Sequence, residues 1–322
     1  MSATDRMILA LVNLLLWLRY AYHHADFSWR KRRLAQFAAP RRLSELVQWR
    51  KLVDHDPHFV TLTDKLGAKA WVAERAPDLP QPEVIWVGER AADLPEALVG
   101  PGYVIKTNHA SHQNVFPDRE ALPRSELERR LDVWLSRPYK VEQQWAYLGI
   151  RPRLFVERRV GDGRPLFDIS FRIHAGVASA GHVATDFKTS AARDGYFYPD
   201  GRRIRLGPDP AALPDDFVPP PSFHRARAFA ERLGRDVDYY RVDFLCTEDE
   251  AYFGEITLYP AAGMGGDGDP AKLIYRSWLA CIERSWFLAT PQPFPLSLYQ
   301  GAFRRWARVR NAELARQALT AP

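Results

Sequence analysis

Hydrophobic residues along the chain follow two different periods. Apolar residues that are consecutive or alternate with polar ones predict β-strands in EVIWVG, YVIKTN, RLFVERRV, LFDISFRIHAG, SAGHVATDF and both halves of YRVDFLCTEDEAYFGEITLYP. A helical period is found in RRLSELVQWRKLVDHDP, TLTDKLGAKAWVAERAP, SELERRLDVWLSRPY and FHRARAFAERLG, and two more helices are expected after the glycine-rich AAGMGGDGDP. Thr63 or Asp64 is expected to cap the second of these helices. Helices that interleave with hairpins indicate an α+β or mixed α/β fold, and we predict the α+β class.

The N-terminal part contains a strongly apolar segment, MILALVNLLLWL, from Met7 to Leu18. It is too short to cross a bilayer alone, and no clear signal-peptide cleavage site follows it. One interpretation is a helix packed on the protein body. The other is a helix in the membrane interface, because aromatic residues and the basic run RKRR follow the apolar residues, which gives a contact through residues 7–33. The basic, Trp-bearing tail predicts a second contact through residues 303–310.

Composition narrows the class of protein. With 322 residues, 46% apolar and 26% charged, the chain is typical of a folded protein with one large domain or two lobes. The net charge of +6 indicates acidic partners, but anionic lipid, phosphorylated ligands and nucleic acid would all qualify. Cys246 and Cys281 have no CxxC spacing, which argues against structural zinc and a disulfide framework, and we expect a cytoplasmic protein.

The segment YRVDFLCTEDEAYFGEITLYP predicts a hairpin that carries acids among apolar residues. Side chains of a strand alternate between its two faces. If residues 248–250 form the loop, Thr247 pairs with Ala251 and Asp243 lies opposite Glu255. Phe253 is then expected to share the face of Glu255.

Two opposed carboxylates destabilise a hairpin unless a cation or a shared proton lies between them. Arg241 and Thr257 would flank Asp243 and Glu255 on the same face. Oxygen ligands with room for phosphate and water favour Mg²⁺ over zinc. The alternative is a solvent-exposed face on which both acids are hydrated. The flanking residues are more apolar than is usual for such a face.

Phosphate-binding groups would accompany such a metal site. The sequence contains neither GxxxxGK[ST] nor a GxGxxG that opens a helix, which argues against P-loop and Rossmann sites. It offers YVIKTNHASHQNV, in which Lys106 lies in an apolar strand directly before a polar turn. Lys106 could contact phosphate, or it could be an edge residue whose amine extends to water.

Taken in order, these segments resemble the ATP-grasp superfamily, and within it the TupA-like branch of teichuronopeptide biosynthesis. The similarity runs from about Arg42 to Pro260 and depends on RRLSELVQWRKLVDHDPHFVTLTDKLGAKAWV, YVIKTNHASHQNV, LFVERRV, YYRVDFL and YFGEITLYPAAG. The resemblance implies two α+β lobes that clasp ATP. We expect an N-terminal helical segment at 1–60, the small lobe at 61–160, the large lobe with the metal site at 161–290 and a C-terminal basic helix at 291–322.

The resemblance also implies roles for individual residues. The nucleotide-binding set is Lys65, Lys106, Asn108, Ser111, Glu157 and Val160, the metal set is Asp243, Glu255 and Thr257, and the catalytic set is Arg241, Lys106 and Arg172. Lys65 and Lys106 would reach phosphate, Glu157 would mark the hinge beside adenine, and Glu255 would bridge two Mg²⁺ ions. Arg241 resembles the arginine that steadies the transferring phosphate.

Two departures from the family pattern affect these roles. The glycine-rich turn after the strand lysine is NHASH here, and Ala110 and His112 give the backbone less freedom to approach phosphate. The family's lysine in the following strand is replaced, and Arg172 is expected to take its role. Candidate substrate contacts are His109, His174, Lys188 and Arg193, for which ordinary polar positions on loops and strand edges are the alternative.

The activity implied by the resemblance is ATP- and Mg²⁺-dependent ligation of a carboxylate to an amine through an acyl phosphate. The implied partners are ATP, a small-molecule or glycan carboxylate and an amine or amino acid, with no nucleic acid. The implied setting is a cell-surface polysaccharide or polypeptide precursor at the inner membrane face. Three alternatives remain open: a phosphotransferase that uses the same ATP site, a glycosyltransferase, and a non-catalytic scaffold.

Overall fold

The computed structural model describes residues 1–137, 139, 143–161, 164–187, 189–207 and 209–319. Its helices are α1 (Ala3–Arg19), α2 (Ala21–Lys31), α3 (Leu43–Leu52), α4 (His58–Thr63), α5 (Lys65–Arg75), α6 (Arg124–Ser136), α7 (Pro221–Leu233), α8 (Asp269–Cys281), α9 (Trp286–Ala289) and α10 (Leu296–Leu319). Its strands are β1 (Val84–Gly88), β2 (Tyr103–Thr107), β3 (Asn114–Val115), β4 (Leu154–Arg158), β5 (Phe167–His174), β6 (Val177–Thr185), β7 (Arg193–Phe197), β8 (Tyr240–Cys246) and β9 (Ala251–Thr257). The predicted α+β class is confirmed, and Asp64 is the residue that caps α5.

The strands form two antiparallel sheets. The order is β1-β4-β2-β3 in the first sheet and β7-β6-β5-β8-β9 in the second. Each sheet buries one apolar face. Ile105, Val115, Leu154 and Val156 of the first sheet pack with Leu127 and Leu131 of α6. In the second sheet Phe171 packs against Phe223 of α7, with ring centroids 4.7 Å apart. The two remaining faces line a common cleft.

Helices from both ends of the chain share the core of the second sheet. α1 contacts α10, and α3 contacts α8. Trp49 of α3 stacks on Phe303 of α10 at 4.8 Å between ring centroids, and Arg305 of α10 binds Asp5 of α1 at 2.6 Å. The core therefore runs through residues from Leu9 to Leu314. The division at residues 60, 160 and 290 stays a prediction.

A buried arginine links α3 to the start of β8. Arg50 is fully buried, donates to the backbone oxygen of Tyr239 at 2.8 Å and binds Asp238 through its side chain. Trp278 of α8 also donates to Asp238, at 2.6 Å. Burial raises the pKa of Asp54, although the charge of Arg50 at 3.4 Å opposes that rise. This network fixes the point at which β8 enters the second sheet.

The outer face of α1 is apolar and exposed. Its inner residue Leu9 is 5% exposed, whereas five residues on the opposite side are each more than half exposed: Met7, Leu11, Leu14, Leu15 and Leu18. Within the described residues, no helix combines the length and the hydropathy needed to cross a membrane.

The predicted second membrane contact, through residues 303–310, has no exposed aromatic side chain, although Arg305 and Arg308 are exposed. Phe303 and Trp306 are buried in the core. The arginines of this segment form ion pairs with acids of the protein: Arg304 and Arg308 with Glu283, Arg305 with Asp5, and Arg310 with Glu313. The amphipathic pattern of the tail reflects packing of α10 on the core.

The β8–β9 hairpin contains a β-bulge that the alternation of side chains did not predict. Near its loop Cys246 pairs with Ala251, one residue away from the predicted register. Phe244 then pairs with Phe253, and the extra residue Gly254 restores the predicted pairing of Asp243 with Glu255. The expectation that Phe253 shares a face with Glu255 is therefore wrong, and Phe253 is 1% exposed in the core.

The bulge leaves no space for a side chain at Gly254. A Cβ at position 254 would lie 2.8 Å from the backbone oxygen of Asp243. We expect Gly254→Ala to lower the free energy of unfolding by about 1–3 kcal/mol, because the clash involves backbone that cannot rotate away. Urea unfolding measures this as a lower midpoint at unchanged slope.

Gly100→Ala is the matched control, since a Cβ at position 100 meets no atom within 4 Å. Its midpoint is expected to stay the same or rise slightly. Equal midpoints for Gly254→Ala and the wild type would contradict a bulge at this position.

Candidate functional site

A cleft of about 1480 Å³ lies between the two sheets. That volume exceeds the usual pocket for one small ligand, so two ligands can lie in it together. The first sheet contributes Val104, Lys106, Phe155 and Glu157. These residues alternate along β2 and β4 with the residues that pack on α6, which explains why the strands are polar only toward the cleft.

The second sheet contributes two rows of side chains that run across its strands. One row consists of directly paired residues from β7 to β9: Tyr196, His182, Ser170, Asp243 and Glu255. The neighbouring row consists of Arg172, Arg241 and Thr257. The buried strands of this sheet thus present polar groups to the cleft and apolar groups to α7.

Asp243 and Arg241 form the tightest ion pair of this face. Arg241 donates to both oxygens of Asp243, at 2.7 and 2.6 Å, and to the hydroxyl of Thr257 at 3.0 Å. Thr257 in turn donates to Asp243 at 3.0 Å, and Glu255 lies 3.9 Å from Arg241. Burial disfavours the charge of Arg241, but Asp243 outweighs it and the pKa of the guanidinium lies above its usual value.

The donors on this face fit Mg²⁺. Oδ2 of Asp243 accepts from Arg241 and Thr257, whereas Oδ1 accepts a single bond and keeps one lone pair. The side chain of Glu255 is 40% exposed to the cleft. Among the described residues no group of three or more His, Cys, Asp and Glu forms a complete metal cage. Two carboxylates that leave positions for phosphate and water match Mg²⁺, which seldom takes an all-protein cage.

Across the cleft, one buried carboxylate holds two lysines. Glu157 is 3% exposed and binds Lys106 of β2 and, at 2.8 Å, Lys69 of α5. Burial alone would raise the pKa of Glu157, but the two lysine charges outweigh burial and lower it. Burial lowers the pKa of Lys69, and the charge of Glu157 opposes that change. Two cations and one anion leave a net positive charge here.

Lys65 lies beneath the NHASH turn. It donates to the backbone oxygen of Ala110 and lines the cleft. Burial lowers the pKa of Lys65, while the charge of Glu255 raises it and that of Lys106 lowers it, so the three groups are within electrostatic range. His112 of the same turn has φ = 61°, in the left-handed region that favours glycine. The turn therefore keeps its shape without glycine, at some cost in backbone strain.

Several predicted contacts lie away from the cleft. Asn108 is fully buried and its amide is used within the protein, since it donates to Asp64 and Arg151 and accepts from Arg153. His109 is 1% exposed beneath the end of α6. His174 is 3% exposed and contacts Ser179 at 3.0 Å. Because these side chains do not reach the cleft, their placement gives no support to ligand contacts.

The other predicted residues divide as follows. Ser111, Val160, Arg172 and Arg193 line the cleft together with Lys65, Lys106, Glu157, Arg241, Asp243, Glu255 and Thr257. Arg172 is 7% exposed and donates to the hydroxyl of Ser170 at 3.0 Å. Among the described residues it has no carboxylate partner. Lys188 lies outside the described residues.

The structure adds cleft residues that the sequence did not single out. Lys69 follows Lys65 by one helical turn, a spacing that could have indicated a second lysine on the same face. His182 binds Asp194 of β7 at 2.7 Å. The strand β7 itself was missed, because RDGYF carries no clear apolar period around Gly195.

The rim of the cleft beyond β9 has an unusual backbone. Residues 261–263 are consecutive left-handed residues with φ of 47°, 50° and 76°, although two of them are alanines. The carbonyls of this rim are held by three side chains from α2 and α3: Lys51 and Gln48 donate to Ala262 at 2.6 and 3.1 Å, and Lys31 donates to Met264 at 3.0 Å. These contacts offset the cost of the left-handed backbone.

Comparison with known proteins gives a family. The model of the TupA-like ATP-grasp family matches residues 45–270, more than half of the chain. Comparison with curated protein sequences finds no match.

Similar solved structures are distant ligases. The D-alanine–D-alanine ligase of Bacillus anthracis complexed with ATP is 17% identical with a TM-score of 0.39, over 78% of this chain and 68% of that chain. The ATP-grasp ligase PsnB complexed with minimal precursor is 11% identical with a TM-score of 0.39, over 74% and 68%. N5-carboxyaminoimidazole synthase from Aspergillus clavatus with ADP is 14% identical with a TM-score of 0.37, over 72% and 52%.

The resemblance in the sequence motifs is thus confirmed by the family match over residues 45–270. The chain belongs to the TupA-like ATP-grasp family.

Proposed function

We propose that this protein is an ATP- and Mg²⁺-dependent carboxylate–amine ligase that forms an amide through an acyl phosphate. The observation that carries the proposal is the opposition of charges across the cleft. Asp243 and Glu255 lie directly opposite each other beside Arg241, and Lys65 and Lys106 face the same space from the other side. A triphosphate with its metal ions satisfies both sets of charges.

Each cleft residue then has a role that its position supports. Lys65 and Lys106 bind phosphate, and Asp243 and Glu255 hold Mg²⁺, with two ions expected. Thr257 keeps Asp243 oriented through its hydroxyl. Adenine is proposed to lie on Val104 and Phe155, beside the backbone from Glu157 to Val160. Mg²⁺ held by these carboxylates would neutralise the negative charge of the phosphoryl group during its transfer.

The reaction has two steps. A carboxylate oxygen of the acid attacks the γ-phosphorus, the bond to the β–γ bridging oxygen breaks, and ADP leaves with that electron pair. An amine nitrogen then attacks the acyl carbon, inorganic phosphate leaves, and the amine loses a proton. Arg241 and Arg172 stabilise the phosphoryl group during transfer, because both guanidinium groups lie on one face of neighbouring strands.

The acid is proposed to be a uronic or glutamate-like residue of a cell-surface precursor, and the amine an amino acid or simple amine. The rim of the cleft supports an acidic substrate. Arg164 and Arg193 lie there, and among the described residues their side chains bind only backbone oxygens, of Gly161 and Pro210. Both are available to an anionic substrate.

An ATP-consumption screen tests the ligase. We expect ADP release that requires both an acid and an amine, in a panel that crosses uronic acids and glutamate with amines. Glu255→Gln is the negative control. A stable phosphorylated product without amide would indicate a phosphotransferase, and ADP release no faster than in Glu255→Gln would contradict the proposal for that panel.

The metal site is tested by binding. ATP–Mg²⁺ at about 100 times its Kd should stabilise the wild type by about 2.7 kcal/mol. We expect Asp243→Asn and Glu255→Gln to lose most of this thermal stabilisation, since each removes a metal-binding charge, but to keep any stabilisation by ATP with EDTA. Glu248→Gln is the matched control, because Glu248 is an exposed acid in the loop of the same hairpin. Equal stabilisation of all four proteins by ATP–Mg²⁺ would contradict the site.

The N-terminal helices are proposed to bind the cytoplasmic face of an anionic membrane. The exposed aliphatic face of α1 continues into Tyr22 and Trp29, which are 87% and 85% exposed. Arg19 and Arg32 are exposed beside them. Aromatic and basic residues at the border of an apolar face favour the interface of a negatively charged bilayer. This placement would suit a lipid-linked acceptor.

Vesicle sedimentation tests this proposal. The wild type is expected to sediment with phosphatidylglycerol vesicles, less so at high salt, and not with phosphatidylcholine vesicles. Leu11→Glu with Leu15→Glu should weaken binding on the order of 100-fold, because each buried leucine contributes about 1.5–3 kcal/mol. The control Val177→Glu with Val218→Glu alters exposed apolar residues elsewhere and should sediment like the wild type. Equal sedimentation of both double variants would contradict a docking role for α1.

A further inference from the structure

His182 and Asp194 form a polar pair at the far end of the row that contains the metal carboxylates. Nε2 of His182 lies 2.7 Å from Oδ2 of Asp194. The imidazole lies against Tyr196, with ring centroids 4.8 Å apart, and its side chain is 20% exposed toward the cleft. One strand, β5, lies between His182 on β6 and Asp243 on β8, and its Ser170 stands between them in the row.

The hydrogen bond determines the tautomer of His182. A carboxylate accepts only, so Nε2 carries the proton that it donates to Asp194, and Nδ1 keeps a lone pair. Among the described residues, no hydrogen bond to Nδ1 competes for that lone pair. His182, which lines the cleft, therefore keeps Nδ1 as a proton acceptor, and Asp194 is placed to stabilise the imidazolium that results.

The surroundings keep the imidazole neutral. Burial lowers the pKa of His182, the hydrogen bond to Asp194 opposes this, and the charges of Arg172 and Arg241 lower it further. The hydrogen bond with His182 also lowers the pKa of Asp194. At neutral pH the pair is thus a neutral imidazole beside a carboxylate, and His182 becomes protonated only in more acidic solution.

Amide formation needs such a group. A primary amine reaches the enzyme mostly as an ammonium ion, which has no lone pair with which to attack. The lysines and arginines of the cleft are cations, and Asp243 already binds Arg241. Strand spacing places His182 about 10 Å from Asp243, room enough for the phosphoryl group and the acyl carbon between them. The amine would then approach from the β7 side.

We propose that His182 is the general base of the amide-forming step and that Asp194 positions it. This inference rests on the proposed ligase activity. Nδ1 of His182 takes a proton from the ammonium ion, the lone pair that this frees forms the bond from nitrogen to the acyl carbon, and the bond from this carbon to the phosphate oxygen breaks. Phosphate leaves with that electron pair and takes the second proton that the nitrogen loses as the amide forms, and Asp194 keeps its hydrogen bond to the imidazolium.

The test compares two nucleophiles with one acyl donor. D-glucuronate or L-glutamate is supplied with ATP–Mg²⁺ and either glycine or hydroxylamine, which is uncharged at neutral pH and needs no base to expose its lone pair. In His182→Gln we expect hydroxamate to form as in the wild type, while the amide with glycine falls about 10²–10⁴-fold, the usual contribution of a general base. Intact hydroxamate formation also shows that the variant is folded.

The control variant is His224→Gln, which removes an exposed histidine of α7 and should leave both products unchanged. The pH dependence of amide formation is a second test. In the wild type, amide formation should fall in acid as His182 becomes protonated. In His182→Gln it should instead rise steadily with pH, as the fraction of free amine rises. Asp194→Asn should lower the amide product and spare the hydroxamate.

The outcomes are separable. Equal loss of both products in His182→Gln, or loss of neither, would contradict the role of His182 as the general base. A wild type that makes neither product contradicts the ligase proposal. In that case ¹⁵N NMR of the histidines, which needs no substrate, still shows which ring nitrogen of His182 carries the proton. A neutral imidazole protonated at Nε2 supports the base, whereas protonation at Nδ1 at neutral pH overturns it.

Discussion

The site depends on one local constraint, the bulge at Gly254. Near the hairpin loop the two strands pair one residue out of the register that would oppose the acids. The extra residue restores that register from Asp243 and Glu255 onward, through Arg241 and Thr257, and it turns Phe253 into the core on the other face. The same irregularity therefore completes the apolar packing on α7 and places two carboxylates opposite each other in the cleft.

The remaining charges of the cleft are arranged around that pair. Arg241 compensates Asp243, and Glu157 compensates part of the charge of Lys69 and Lys106. Arg172 has no acidic partner among the described residues. One wall of the cleft thus carries lysines in excess of its carboxylate, and the other carries two carboxylates beside two arginines. A polyanion with divalent cations is the kind of ligand that can satisfy both walls at once.

Most helices and strands, and the opposed carboxylates of the site, could be predicted from the sequence. Long periodic segments such as those of α5, β5 and β8 gave correct elements, and Asp64 was a recognisable cap. The pairing of Asp243 with Glu255 was predicted correctly, but the pairing next to the loop was not. A β-bulge changes the register of two strands without changing the pattern of apolar and polar residues in the sequence.

Side-chain direction explains most of the rest. Asn108, His109 and His174 are polar residues in the right segments, but a sequence does not tell whether such a group turns inward to brace the backbone or outward to a cleft. The ion pairs of Glu157 with Lys69 and Lys106 become visible only when α5, β2 and β4 meet in space. His182 was missed because its partner Asp194 lies on a strand with little periodicity.

The rim at residues 261–263 has a consequence for how the molecule can be divided. Its left-handed backbone is held by Lys31 of α2, as well as by Gln48 and Lys51 of α3. The N-terminal helices α1 and α2 therefore have two roles: α1 exposes its leucines, and α2 helps to shape the mouth of the cleft through Lys31. Removing α1 and α2 would take away Lys31 and with it part of the support of this rim, so a truncated chain would keep the lysines and carboxylates of the cleft but not the full bracing of its mouth.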